Sequence, residues 1–92
     1  MIEDLNKYED IAEKLKALAH PHRLCIVKGL IDNTCNVSKI QECIELPQST
    51  VSLHLSKLRT AGIVDRTRNG TEICYAVNDK TIIELIKLFF KD

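Results

Sequence analysis

Gln48, Ser49, Ser52 and Ser56 fall on one side of residues 46–64, and Lys57 and Arg59 stand at the far end of the same stretch. Val51, Leu55 and Leu58 recur at i, i+4 and i+7 on the other side, the spacing of an amphipathic helix resting on a core. Short polar side chains on an exposed helix offer little to catalysis. They suit close approach to base edges in a DNA major groove, where a bulky face would be held off. Cations near the same face reach phosphate. The DNA-contacting set expected on this helix is Gln48, Ser49, Thr50, Ser52, Leu53, Ser56, Lys57 and Arg59. Gly62 then ends the helix.

The next residues extend that chemistry. Residues 63–68 alternate as a strand, with Val64, Arg66 and Arg68 on one side. Asn69-Gly70 predicts a tight type I′ turn, which needs positive φ at both central residues. Residues 71–78 return as a second strand with Ile73, Tyr75 and Val77 on one face. Two strands are not stable alone, so the hairpin must lean on helices. A hairpin carrying Arg66, Arg68 and Asn69 near its tip, directly after a recognition helix, reads as a DNA-binding wing.

Other reactive residues point to less. No Ser/His/Asp grouping, paired carboxylate or Gly-rich phosphate loop supports enzymatic chemistry, so neither an activity nor a cofactor is expected. Cys25, Cys35, Cys43 and Cys74 have no CxxC spacing, and without a secretory signal they are expected to be thiols. Cys25 lies off the inward stripe of its helix and Cys74 opposite the Ile73-Tyr75-Val77 face, so these two are the candidates for oxidation. His20-x-His22-x-x-Cys25 has metal-like spacing, but Pro21 stiffens the geometry between the histidines, and no metal site is assigned. His54, at the edge of the Val51-Leu55-Leu58 stripe, is expected to be a satisfied, half-buried histidine. Arg23 is expected to meet phosphate or an acid of the first helix.

The elements that must position these residues fit one domain spanning residues 1–92. That length supports a single modest core. The first helix is predicted over 3–18, with Leu5, Tyr8, Ala12, Leu15 and Ala19 at 3–4 spacing. His20-Pro21 breaks it. A second helix follows over 21–31, with Leu24, Val27 and Ile31 inward and Pro21 at its first position. A short third helix is predicted over 37–44, capped by Asn36. The recognition helix is fourth, the hairpin follows, and a fifth helix covers 79–90. The fold class is therefore mainly α with a two-stranded β-wing, a winged helix-turn-helix in the order helix-helix-helix-helix-strand-strand-helix. No apolar run is long enough to span a membrane and no signal peptide is visible, which leads us to expect a cytoplasmic protein.

Net charge is zero, but its distribution is not even. Residues 47–71 carry Lys57, Arg59, Arg66 and Arg68 against Asp65 alone. Residues 1–13 carry Glu3, Asp4, Glu9, Asp10 and Glu13 against Lys7 alone. One basic face binds DNA in one orientation, and doubling that face in a dimer adds counterion release. Residues 79–90 supply a reason for a dimer. Ile82, Ile83, Leu85, Ile86, Leu88, Phe89 and Phe90 surround nearly the whole helix, more than one small core can cover. The dimerisation set is Leu5, Tyr8, Ala12 and Leu15 of the first helix with Ile82, Leu85, Ile86 and Phe89 of the last.

Three segments together resemble the ArsR/SmtB group of bacterial winged-helix repressors. They are Leu15-Lys16-Ala17-Leu18-Ala19-His20-Pro21-His22-Arg23-Leu24-Cys25-Ile26-Val27, then Ser49-Thr50-Val51-Ser52-Leu53-His54-Leu55 with Leu58-Arg59-Thr60-Ala61-Gly62-Ile63-Val64, then Arg68-Asn69-Gly70 leading to Tyr75. The resemblance implies a homodimer joined through first and last helices. It implies a double-stranded DNA operator with imperfect two-fold symmetry, and repression by occlusion.

Departures from the group narrow the reading. Where many members carry a Cys-x-Cys metal pair this chain has Asn36 and Ser38, and residues 79–92 hold no histidine. The resemblance thus points to a branch lacking the usual metal sites. Pro47 stands where the group has a capping serine, and Leu53 where relatives often have a polar residue. A protein-interaction or anti-repressor module on the same fold, or a thiol redox-regulated repressor, are the alternatives.

Overall fold

A computed structural model describes residues 4–32 and 45–91. Among them are four helices and one two-stranded antiparallel sheet: α1 (Leu5–Leu18), α2 (Pro21–Asp32), α3 (Gln48–Thr60), β1 (Val64–Asn69), β2 (Glu72–Val77) and α4 (Lys80–Phe89). The helix expected over 37–44 and its Asn36 cap lie outside the described residues. None of the described helices is long and apolar enough to cross a membrane.

Helix ends follow from local chemistry. The Asp4 carboxylate accepts from the Lys7 amide and opens α1. His20 closes the turn after α1 and precedes Pro21, whose missing N–H costs nothing at a first helical position. The His20 Nδ1 accepts from the His22 amide at 3.2 Å, so an imidazole takes the role usually given to Ser or Asp. Pro47 precedes α3 with no side-chain cap, as its chemistry requires, and its carbonyl accepts from the Thr50 and Val51 amides. At the other end Gly62 adopts φ +83° and the Ile63 amide reaches back to the Leu58 carbonyl at 3.0 Å. That is the 6→1 bond of a Schellman stop, and it points the chain into β1.

The core joins the four helices and the start of β1, with Tyr75 and Val77 of β2 packed against it. Ala17 and Leu18 of α1 meet Ile26, Val27 and Leu30 of α2, then Val51, Leu55 and Leu58 of α3, Ile63 and Val64 entering β1, and Ile82 and Ile86 of α4. On α2 the inward stripe is rotated from the expected one. Ile26 and Leu30 are buried beside Val27, while Leu24 and Ile31 sit at its margin. The wide apolar arc of α2 admits either choice by periodicity, and packing on α3 selects between them.

The hairpin turn also differs by one residue. Asn69 pairs with Glu72, so the two loop residues are Gly70 and Thr71. Only Gly70 has positive φ, at +62°. This matches type II′, with glycine at the first central position, and replaces the I′ turn expected on Asn69-Gly70.

Candidate nucleic-acid interface

Val51, His54, Leu55 and Leu58 are buried and fix α3 against the core. Its remaining circumference is an exposed arc holding Gln48, Ser49, Ser52, Leu53, Ser56, Lys57 and Arg59, with Thr50 half-buried at the edge. The arc has two flanks. Leu53, Ser56 and Lys57 line a groove of about 830 Å³ against α1, where Asp10, Glu13 and Lys16 form the facing wall. Gln48, Ser52 and Arg59 lie on the opposite flank, whereas Ser49 falls in angle between Ser56 and Leu53, nearer the helix start. Leu53 therefore faces a mixed-charge groove rather than standing with Gln48 and Ser52.

The hairpin projects beside this helix. Register places Val64 opposite Val77, Arg66 opposite Tyr75 and Arg68 opposite Ile73. Paired residues share a face, so both arginines extend the face whose base, Val64, is in the core. Arg66, Arg68 and Asn69 are all exposed. On the other face Asp65 accepts a hydrogen bond from Asn78 Nδ2 at 2.5 Å, which ties the base of the hairpin to the start of the α4 turn.

Sequence reasoning missed the clasp behind α3. Arg23 of α2 donates through Nε to His54 Nδ1 at 3.1 Å and through its guanidinium to the Ala17 carbonyl at 3.4 Å. One side chain thus ties α1, α2 and α3. Among the described residues no α1 carboxylate pairs with Arg23, and its side chain also lines the groove beside α3. His54 is buried outright rather than half-buried. Burial, then the His20, Arg23 and His22 charges, hold its imidazole below the ordinary histidine range. His20 and His22 lie beside it, and the three rings form one cluster.

The dimerisation residues divide. Leu5, Tyr8, Ala12 and Leu15 are exposed along α1, as is Phe89 on α4. Ile82 and Ile86, expected at a partner surface, are 4% and 1% exposed within this chain's own core. Leu85 packs at the core margin. The reason is that Ile82 and Ile86 are one helical turn apart and turn the same face into the core cluster, leaving Leu88, Phe89 and Phe90 outward.

Cysteines are corrected in part. Cys25 is a free, exposed thiol. Cys74 is half-buried and disulfide-bonded, in place of the expected thiol.

Known proteins resemble this arrangement. The model of the family described as bacterial regulatory protein, arsR family, matches residues 20–66, from the His20 cap to Arg66 of the hairpin. The transcriptional repressor PagR of Bacillus anthracis is 47% identical over 87% of this chain and 81% of its own. Its crystal structure superposes with a TM-score of 0.83, covering 94% of this chain and 99% of that one. HlyU of Vibrio cholerae N16961, in its reduced form, matches at 29% identity and TM-score 0.84 over the whole of both chains. The homodimeric winged helix-turn-helix DNA-binding domain of Mb0332 from Mycobacterium bovis matches at 26% identity and TM-score 0.83, over 97% of this chain and 82% of that one.

Proposed function

Because this chain belongs to the ArsR family of bacterial regulatory proteins, we propose that it is a sequence-specific DNA-binding transcriptional regulator, a homodimeric repressor acting in the cytoplasm by occluding its operator. The observation that carries this reading is the polar arc of α3. Gln48, Ser49 and Ser52 are exposed on a helix whose opposite side is locked into the core. Small polar side chains on a rigid helix can enter a major groove and hydrogen-bond base edges. Lys57, Arg59, Arg66 and Arg68 supply phosphate contacts.

A dimer is favoured by two apolar surfaces that this chain does not cover. Leu5, Tyr8, Ile11 and Leu15 on α1, Leu88 and Phe89 on α4 and Phe90 just after it are all exposed. PagR is described as a transcriptional repressor and Mb0332 as a homodimeric DNA-binding domain, which agrees with this reading. Two copies related by a two-fold axis present two α3 helices to an operator of matching symmetry.

The experiment is gel-shift binding to the chain's own promoter region at two salt concentrations. A retarded complex that weakens steeply with salt supports the repressor. No complex at either salt supports the protein-interaction module instead. Redox control of the repressor is a second reading, favoured by the Cys74 disulfide, because disulfides inside cells are usually transient or sensing. Repeating the gel shift with and without reductant tests it.

A further inference from the structure

His20, His22 and His54 converge where the start of α2 meets α3. One ring nitrogen from each lies within 4.8 Å of the other two. Ring centroids are 4.8 Å apart for His20 and His54, 5.4 Å for His20 and His22, and 5.9 Å for His22 and His54. His54 is buried while His20 and His22 are half-buried, so the cluster has a closed floor and an open mouth.

We propose that these three histidines form a binding site for a divalent transition-metal ion of the zinc, nickel or copper type, with a water in the fourth position. Imidazole is the ligand these borderline ions take. The cluster contains no carboxylate, and calcium and magnesium require oxygen. Zinc binds imidazole nitrogen at about 2.0–2.1 Å in tetrahedral geometry, which puts the ligand nitrogens about 3.4 Å apart. The three rings close the remaining distance by side-chain rotation, with His22 the freest to move at the surface.

The hydrogen bonds set a condition on that closure. His54 Nδ1 accepts from the Arg23 guanidinium and His20 Nδ1 from the His22 amide. Neither donor can serve as an acceptor, so each ring spends its Nδ1 lone pair and, when neutral, carries its proton on Nε2. An ion at Nδ1 displaces the donor directly. An ion at Nε2 requires the proton to move to Nδ1, which ends the same hydrogen bond. In both routes proton number is unchanged, and Arg23 must release His54. The ion and Arg23 are therefore competitors, and the guanidinium charge adds repulsion. Occupancy of the site and integrity of the α1–α2–α3 clasp exclude one another.

This site stands apart from the DNA reading and is tested without DNA. Untagged protein is titrated with Co2+, whose visible bands report four-coordinate nitrogen ligation, and Zn2+ is then added to displace it. The expected result is one ion per chain. His22→Ala, at a half-buried position outside the core, weakens binding at least about 10-fold. Cys25→Ser leaves binding unchanged, and Arg23→Met strengthens it. Circular dichroism confirms that each variant is folded. Absence of Co2+ binding at millimolar metal overturns the site. Binding that survives His22→Ala, or that is lost in Cys25→Ser, also overturns it and assigns the ion to other groups.

Discussion

The Lys14 ammonium on α1 hydrogen-bonds the Asp79 carboxylate, which at the same time caps α4 through the Thr81 and Ile82 amides. The hydrogen bond from Lys14 is the largest influence holding Asp79 below the ordinary carboxylate range, and the two cap bonds add to it. Burial opposes them. Residues 65 apart in sequence are joined, and the last helix is fastened to the first.

A pH dependence results. A carboxylate whose folded pKa lies below its unfolded value of about 3.9 contributes stability that is fully present above that value and lost as pH falls through the folded one. Asp79→Ala is expected to lower stability by about 1–2 kcal/mol at neutral pH, from the missing cap and a partly exposed ion pair. Urea unfolding at fixed protein concentration checks this, with the difference from the natural chain shrinking toward about pH 2. Equal stability at neutral pH would refute the cap.

Gly62 stands at φ +83°, where an L side chain is strained. Space is not the obstacle, since a Cβ there meets only Lys14 Cε at 3.8 Å. Gly62→Ala is expected to cost about 1 kcal/mol from backbone conformation alone. A thermal melt checks it, and an unchanged or raised midpoint would contradict the left-handed stop between α3 and β1.

Phe89 is 75% exposed on α4, whereas Ile86 is 1% exposed one face away. Phe89→Glu should therefore dissociate the proposed dimer while leaving the fold intact, because a carboxylate in an apolar interface is strongly unfavourable. Ile86→Ala should instead cost about 2–5 kcal/mol of stability. Sedimentation separates the two outcomes. A natural chain that sediments as a monomer at micromolar concentration would remove the basis for two-half-site binding.

Periodicity makes the α3 stripe legible, since Val51, Leu55 and Leu58 can share a face only on a helix. The Gly62 stop and the hairpin are legible from residue type. What sequence does not reveal depends on tertiary packing. Nothing local distinguishes Ile82 from Phe89; the way the helix docks on the rest of the core decides which is buried. The Arg23–His54 clasp joins residues 31 apart in sequence, and no spacing rule reaches it. The turn differs by one residue because glycine serves both I′ and II′ turns, and strand pairing chooses between them. Exposure alone places Leu53 on the reading face, yet the neighbouring α1 gives that flank its own groove.

Base reading by the α3 arc and phosphate grip by the hairpin arginines stand or fall on the salt dependence of DNA affinity. It is measured for the natural chain, for Gln48→Ala and for the double variant Arg66→Ala, Arg68→Ala. The double variant should bind all sequences more weakly, with a salt slope reduced by about one for each phosphate no longer neutralised. Gln48→Ala should keep its salt slope and relax the preference between operator and unrelated DNA. A double variant that binds normally with an unchanged slope would contradict the assignment of the hairpin as a DNA-binding wing.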